Sequence, residues 1–265
     1  MSTSPSTSSG RKPVEIRTIR TLLTVRGGLP PDSAELLSRV SRLRKMNRGR
    51  AMVLRAMRTA YFLVEGCVAE LVQPGKIRMW REAMLFEAVT GPVPSPDPGS
   101  TEELLSAPTE VAVITAMSPC VLVEVPHTKL ASLATADPAI ALMLARMAAK
   151  RHTLTERLYG ATRAAPVARV AAVLNYLAGP TRKNVVKPRE EDGVLVMSTT
   201  HELVASGPSQ ADIADALCLG RATVEKAIAE LRQAKALRSF VPGERANRCY
   251  PIADQDLLRQ IALGG

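Results

Sequence analysis

Cysteine is scarce in this 265-residue chain: only Cys67, Cys120, Cys218 and Cys249. They lie far apart and form no C-x-x-C pair, which argues against a disulfide framework or a zinc knuckle and predicts scattered thiols in a reducing cytoplasm. Histidine is scarcer still. His127, His152 and His201 are isolated, with no Ser/His/Asp, Cys/His or metal-spaced group around them. Neither an enzyme nor a metal centre is therefore expected, and no cofactor is predicted, although a haem held by a His or Cys stays open. Long apolar runs are absent, so no segment reaches the roughly 20 residues that span a bilayer. The first ten residues are rich in Ser and Thr and lack the apolar core of a secretory signal, so they read as a disordered tail.

What is present is positive charge. The net charge is +10, which suits a nucleic-acid partner. Its distribution is uneven: the first 60 residues carry a basic excess of 10, the next 100 an acidic excess of 3, and the last 105 a basic excess of 3. Eight basic residues fall between Arg39 and Arg58. That segment reads as a solvated face, with a phosphate track or a polymerase contact as the alternatives.

The most informative stretch runs from Gly207 to Ser239. Its periodicity predicts two helices joined by a tight turn. The first spans about Gln210 to Leu217, N-capped by Ser209, with Asp212 in the first turn and Ile213, Ala214 and Leu217 inward. The turn is Cys218-Leu219-Gly220. The second helix starts near Arg221 and buries Val224, Ala227, Ile228 and Leu231, leaving Arg221, Ala222, Glu225, Lys226 and Ala229 outside. A small residue at Ala214 allows the helices to cross closely. An exposed helix face with Arg at its N-terminal end is what a major-groove reader presents. An ordinary αα-hairpin would share the spacing and the turn.

Ser209-Gln210-Ala211-Asp212-Ile213-Ala214-Asp215, followed by Gly220-Arg221-Ala222-Thr223-Val224, resembles the S-Q-x-D-[IL]-A-D … R-x-T-V core of the CRP/FNR family of bacterial transcription regulators. Tyr61, Leu63, Gly66, Val68 and Leu71 resemble that family's β-roll segment. The resemblance implies an α+β fold with a cyclic-nucleotide-binding-like β-roll, a long dimerisation helix and a C-terminal winged helix-turn-helix. On that frame residues 1–28 are a disordered or basic arm, 29–136 the β-roll, 137–160 the dimerisation helix and 161–265 the DNA-binding domain. It implies a homodimeric DNA-binding regulator that is cytoplasmic, not an enzyme and not membrane-bound, with RNA polymerase as a further partner. A module acting through protein contacts is the alternative. DNA would be met by Arg221, Ala222, Thr223, Glu225, Lys226, Ser209 and Gln210. Arg245 and Arg248, on a wing hairpin formed by 237–241 and 248–252, would reach phosphates. Arg221 would read guanine. Glu225 would either accept from cytosine or face solvent.

Other segments fit the same frame. Arg11 to Arg26 reads either as an arm or as a helix on the β-roll. Ala34 to Val40 reads as a short helix with Leu36, Leu37 and Val40 inward, and residues 91–100, with four prolines, as a loop. Asp137-Pro138 opens a long helix whose stripe Ile140, Leu144, Met147, Arg151, Leu154 and Leu158 predicts a parallel dimer seam. A core stripe within one chain is the alternative. Thr181 to Asp192 reads as a charged loop, and Val194 to Met197 as a short strand.

Cyclic-nucleotide binders of the family open their phosphate cassette with G-E and close it with R-x-A. The nearest match here to the first is Phe86-Glu87, and the arginine position falls near Glu110. A carboxylate there repels a phosphodiester. The resemblance thus implies a degenerate effector pocket at Phe86, Glu87 and Glu110, no cAMP or cGMP binding by the usual route, and an effector that is unknown.

Overall fold

The run Ala60-Tyr61-Phe62-Leu63-Val64 is apolar at every position, whereas a strand buried on one face alternates. The computed structural model places it in strand β3 (Thr59–Glu65), covered on both faces. The structure describes residues 13–54, 58–73, 76–81, 84–86, 112–191, 194–239 and 248–264. Within them β1 (Arg42–Met46), β8 (Cys120–Pro126), β3 and β6 (Met84–Phe86) form one antiparallel sheet, in that order. The second sheet has the order β2 (Ala51–Leu54), β7 (Ala112–Ala116), β4 (Cys67–Gln73) and β5 (Lys76–Arg81). Tyr61, Leu63 and Leu122 of the first sheet pack on Val68, Trp80 and Ile114 of the second, as two sheets of a roll do. Gly66 makes the β3–β4 turn at φ +98°, where a Cβ would lie 2.5 Å from the Pro119 carbonyl oxygen.

The outer face of β3 is covered by helices. Phe62 and Val64 pack against Ile19 and Leu23 of α1 (Pro13–Gly27), Leu37 of α2 (Pro31–Val40), Leu130 of α3 (His127–Ala136) and Ile140, Met143 and Met147 of α4 (Pro138–Thr155). Of the two readings of Arg11–Arg26, the helix on the β-roll is the one observed from residue 13 on, and the disordered or basic arm over 1–28 is corrected there, because Ile19 and Leu23 share a face and are buried. Residues 1–12 lie outside the described residues. In α2, Leu37 is buried as expected, but Leu36 is 45% exposed and points away from the sheet. Arg39 pairs with Glu35 and Arg44 with Glu124, so part of the basic segment is a paired surface.

Helix α4 begins as its sequence predicts: the Asp137 carboxylate accepts from the Ala139 amide at 2.9 Å, with Pro138 at the first helical position. Its last turn widens into a π-helical turn, Glu156–Gly160. The predicted seam is corrected here. Ile140, Met147, Leu154 and Leu158 are buried against the sheets of their own chain, and Leu144 is half-buried against them. An apolar stripe needs cover, and the β-roll supplies it.

After α5 (Pro166–Leu177), the expected loop over Thr181–Asp192 is instead a long hairpin of β9 (Ala178–Glu191) and β10 (Val194–Ser206). Main-chain ladder bonds hold such a ribbon whatever its side-chain pattern. β11 (Cys249–Pro251) adds to β10, and Leu237 bridges Ile252. The second wing strand thus pairs with β10 as well as touching the segment after the helix pair. Helices α6 (Gln210–Leu217), α7 (Arg221–Gln233) and α8 (Gln255–Leu263) complete the chain.

Candidate nucleic-acid interface

The α6–α7 pair follows its sequence residue by residue. Ser209 caps α6 in a reciprocal box: the Asp212 amide donates to Ser209 Oγ at 3.2 Å, and the Ser209 amide donates to Asp212 Oδ2 at 2.6 Å. The helix ends with Cys218 in the left-handed region at φ 50°. The Leu219 amide reaches back to the Ala214 carbonyl at 2.9 Å, and the Cys218 amide to Asp215 at 3.5 Å, the paired bonds of a Schellman end. Gly220 then caps α7 without a side chain. This fixes the angle between the helices. Arg169, buried in α5, donates to the Leu217 carbonyl at 2.6 Å and ties the corner to the helix behind it.

One face of α7 is core: Val224, Ala227, Ile228 and Leu231 are almost wholly buried with Ile213, Leu217, Val170 and Leu174. Arg221, Ala222, Glu225, Lys226 and Ala229 are exposed, and Thr223 is half-buried. Arg221 Nε donates to Glu225 Oε1 at 3.0 Å, one turn along the helix. A shallow groove beside Arg221 is lined by Ser209, Gln210, Ala211 and Arg248. Arg248 is not the free phosphate ligand that the sequence suggests. Its Nη1 donates to the Gly207 carbonyl at 3.2 Å and to Asp212 Oδ2 at 3.3 Å, bracing the entry to α6. Arg245 lies outside the described residues.

Of the predicted effector-pocket residues only Phe86 lies among the described residues. Glu87 and Glu110 lie outside the described residues. Phe86 is fully buried between the sheets, beside Trp80. Trp80 Nε1 donates to Glu70 Oε2 at 2.7 Å, and Arg151 Nη2 donates to Glu70 Oε1. Arg151 Nη1 donates to the Leu85 carbonyl at 2.8 Å, and its guanidinium carbon lies 5.2 Å from the Trp80 ring centre and 5.4 Å from that of Phe86. A partly exposed cation from α4 thus sits against two aromatic rings of the roll and pairs with a buried carboxylate. Sequence spacing gave no sign of this, because Glu70 and Arg151 are 81 positions apart. Arg151 holds helix to sheet, rather than one helix to a partner helix.

No protein-family model matches this chain, and no curated protein does. Solved structures do. A cyclic nucleotide-binding domain containing protein of Listeria monocytogenes EGD-e superposes with a TM-score of 0.55 at 14% identity, over 92% of this chain and 99% of that one. FixK2 of Bradyrhizobium japonicum gives 0.53 at 18% identity, over 84% of this chain and 97% of that one. A CRP-family transcriptional regulator of Thermus thermophilus gives 0.52 at 20% identity, again over 84% and 97%. At these identities the likeness is one of fold.

Proposed function

We propose that this protein is a homodimeric, sequence-specific DNA-binding transcription regulator of the CRP/FNR type that acts without cAMP. The observation that carries the reading is α7: its inner face is wholly core, while an Arg-led outer face of five residues stands free on a rigidly capped corner. A 13-residue helix is about 20 Å long, and the major groove is about 12 Å wide, so its first turns can enter end-on. On this reading Thr223, half-buried, and Lys226, exposed, meet phosphates or base edges. Two copies would engage half-sites about 10 base pairs apart or a small multiple of that.

Independence from cAMP is supported by the roll interior. The Arg151 guanidinium there is already committed to Glu70 and the Leu85 carbonyl, so it is not held ready for a phosphate. For the dimer, the outward face of α4 replaces the buried stripe. Leu142, Ala145, Ala149 and His152 are exposed at coiled-coil spacing, and the two alanines allow a partner helix to approach closely.

Genome-wide binding-site mapping, followed by gel shifts on the recovered motif with and without cyclic nucleotides, tests the whole reading. Arg221→Ala should cost about 1–3 kcal/mol of discrimination at one base pair per half-site. Ala145→Glu should shift the sedimentation coefficient to that of a single subunit and weaken binding to the full site. A strict cAMP requirement, or no footprint on any duplex, would overturn it.

A further inference from the structure

We propose that Glu225 is a positioning residue: it aims the Arg221 guanidinium so that its terminal pair of nitrogens faces the groove, and it thereby fixes one G·C pair in each half-site. This rests on the DNA-binding reading and deepens it. A guanidinium carries one N–H at Nε and four on its two Nη atoms. Glu225 Oε1 accepts a hydrogen bond from Arg221 Nε at 3.0 Å from one turn further along the same exposed face. Among the described residues neither Nη has a partner. The fork left open is the one that matches the O6 and N7 acceptors on the major-groove edge of guanine.

Three features favour this role over the two that sequence left open. With Oε1 engaged by Arg221, the Glu225 carboxylate is directed along the helix towards the arginine. It is not a free solvated side chain either, since the contact is within hydrogen-bond distance. An exposed i,i+4 ion pair also contributes little to folding, so its consequence lies in the free conformation of Arg221: a long side chain that would sample many rotamers is biased toward one before DNA arrives. Ala222 adds nothing polar beside it, so the arginine has no competing carboxylate on the neighbouring position.

Binding-site selection from a random duplex library, with the full-length protein at one fixed salt concentration, tests this. Wild type, Glu225→Ala, Glu225→Gln and Arg221→Ala are compared. Wild type should select a guanine at one position of each half-site. Glu225→Ala should still bind, with its guanine preference at that position lowered about twofold, as the worth of an exposed i,i+4 pair allows, and the rest of the motif unchanged. Glu225→Gln, whose amide oxygen still accepts from Nε, should keep most of the preference. Arg221→Ala should lose it at the same position. Two results overturn the proposal: Glu225→Ala keeps the full guanine preference, or it relaxes a cytosine position that Arg221→Ala leaves intact. If wild type selects no sequence at all, the DNA-binding reading has failed first.

Discussion

Cys218 holds the left-handed corner of the helix pair at φ 50°, in a place where glycine is the usual residue. A side chain there costs about 1–2 kcal/mol, part of which glycine would return through its freer unfolded chain. Cys218→Gly should therefore raise stability by up to about 1 kcal/mol, read from the urea midpoint, because the Cβ points to solvent and no packing is lost. Arg151 has the opposite standing. Glu70 is almost fully buried, and Arg151 is its countercharge. Arg151→Met should lose about 3 kcal/mol by leaving that carboxylate buried and unpaired. Adding Glu70→Gln should restore much of the loss, since the amide still accepts from Trp80 Nε1, so a double-mutant cycle in urea should be strongly non-additive.

At the scale of elements, β5 is an edge strand, and an edge leaves main-chain groups open. Two tyrosines close it. Tyr159 Oη accepts from the Met79 amide at 2.7 Å and donates to the Met79 carbonyl at 2.8 Å. Tyr176 Oη does the same at Arg81, at 2.9 and 3.2 Å. Two phenols from the π turn and α5 thus stand in for a strand on alternate residues. Tyr159→Phe should speed hydrogen exchange of the Met79 amide, Tyr176→Phe that of Arg81, and each should cost about 1–3 kcal/mol. Nothing in the sequence announces this clamp, because its partners are 80 and 95 positions apart. The same limit explains the mistaken seam: Ile140, Met147 and Leu154 have a period that says they are covered, not whether a sheet or a second helix covers them. The corner of α6 and α7 was legible to the residue because its signals are local: Ser209 with Asp212, the small Ala214, and Gly220 before Arg221. The β9–β10 ribbon was not, since its pairing lies in the main chain and its sequence does not alternate.

Over the whole molecule, one apolar cluster joins the halves. Cys67, Ala69, Met79 and Met117 of the roll pack with Ile213, Leu217, Leu174 and Tyr250 from the helix-turn-helix half. Unfolding either half exposes the other, so they should melt together. Alkali tests this, because burial pushes the Cys67 thiol far above its ordinary value of 9.0 and also raises Cys120. The unfolded chain loses these protons near the ordinary value, while the folded chain keeps them. The stabilisation is therefore complete below about pH 8 and is lost as pH rises through 9 and beyond, at up to about 1.4 kcal/mol per pH unit for each thiol. Burial raises Tyr159 and Tyr250 in the same direction, steepening the fall above about pH 10. Urea midpoints from pH 7 to 11 should be flat and then drop, and Cys67→Ala should make the drop shallower. Trp80, the sole tryptophan and deep in the roll, reports one half by fluorescence. Tyr250, buried in the other half, reports it through its ring signals in urea titrations followed by NMR. The two should give one midpoint at every pH; separate midpoints would show that the shared cluster does not couple the halves.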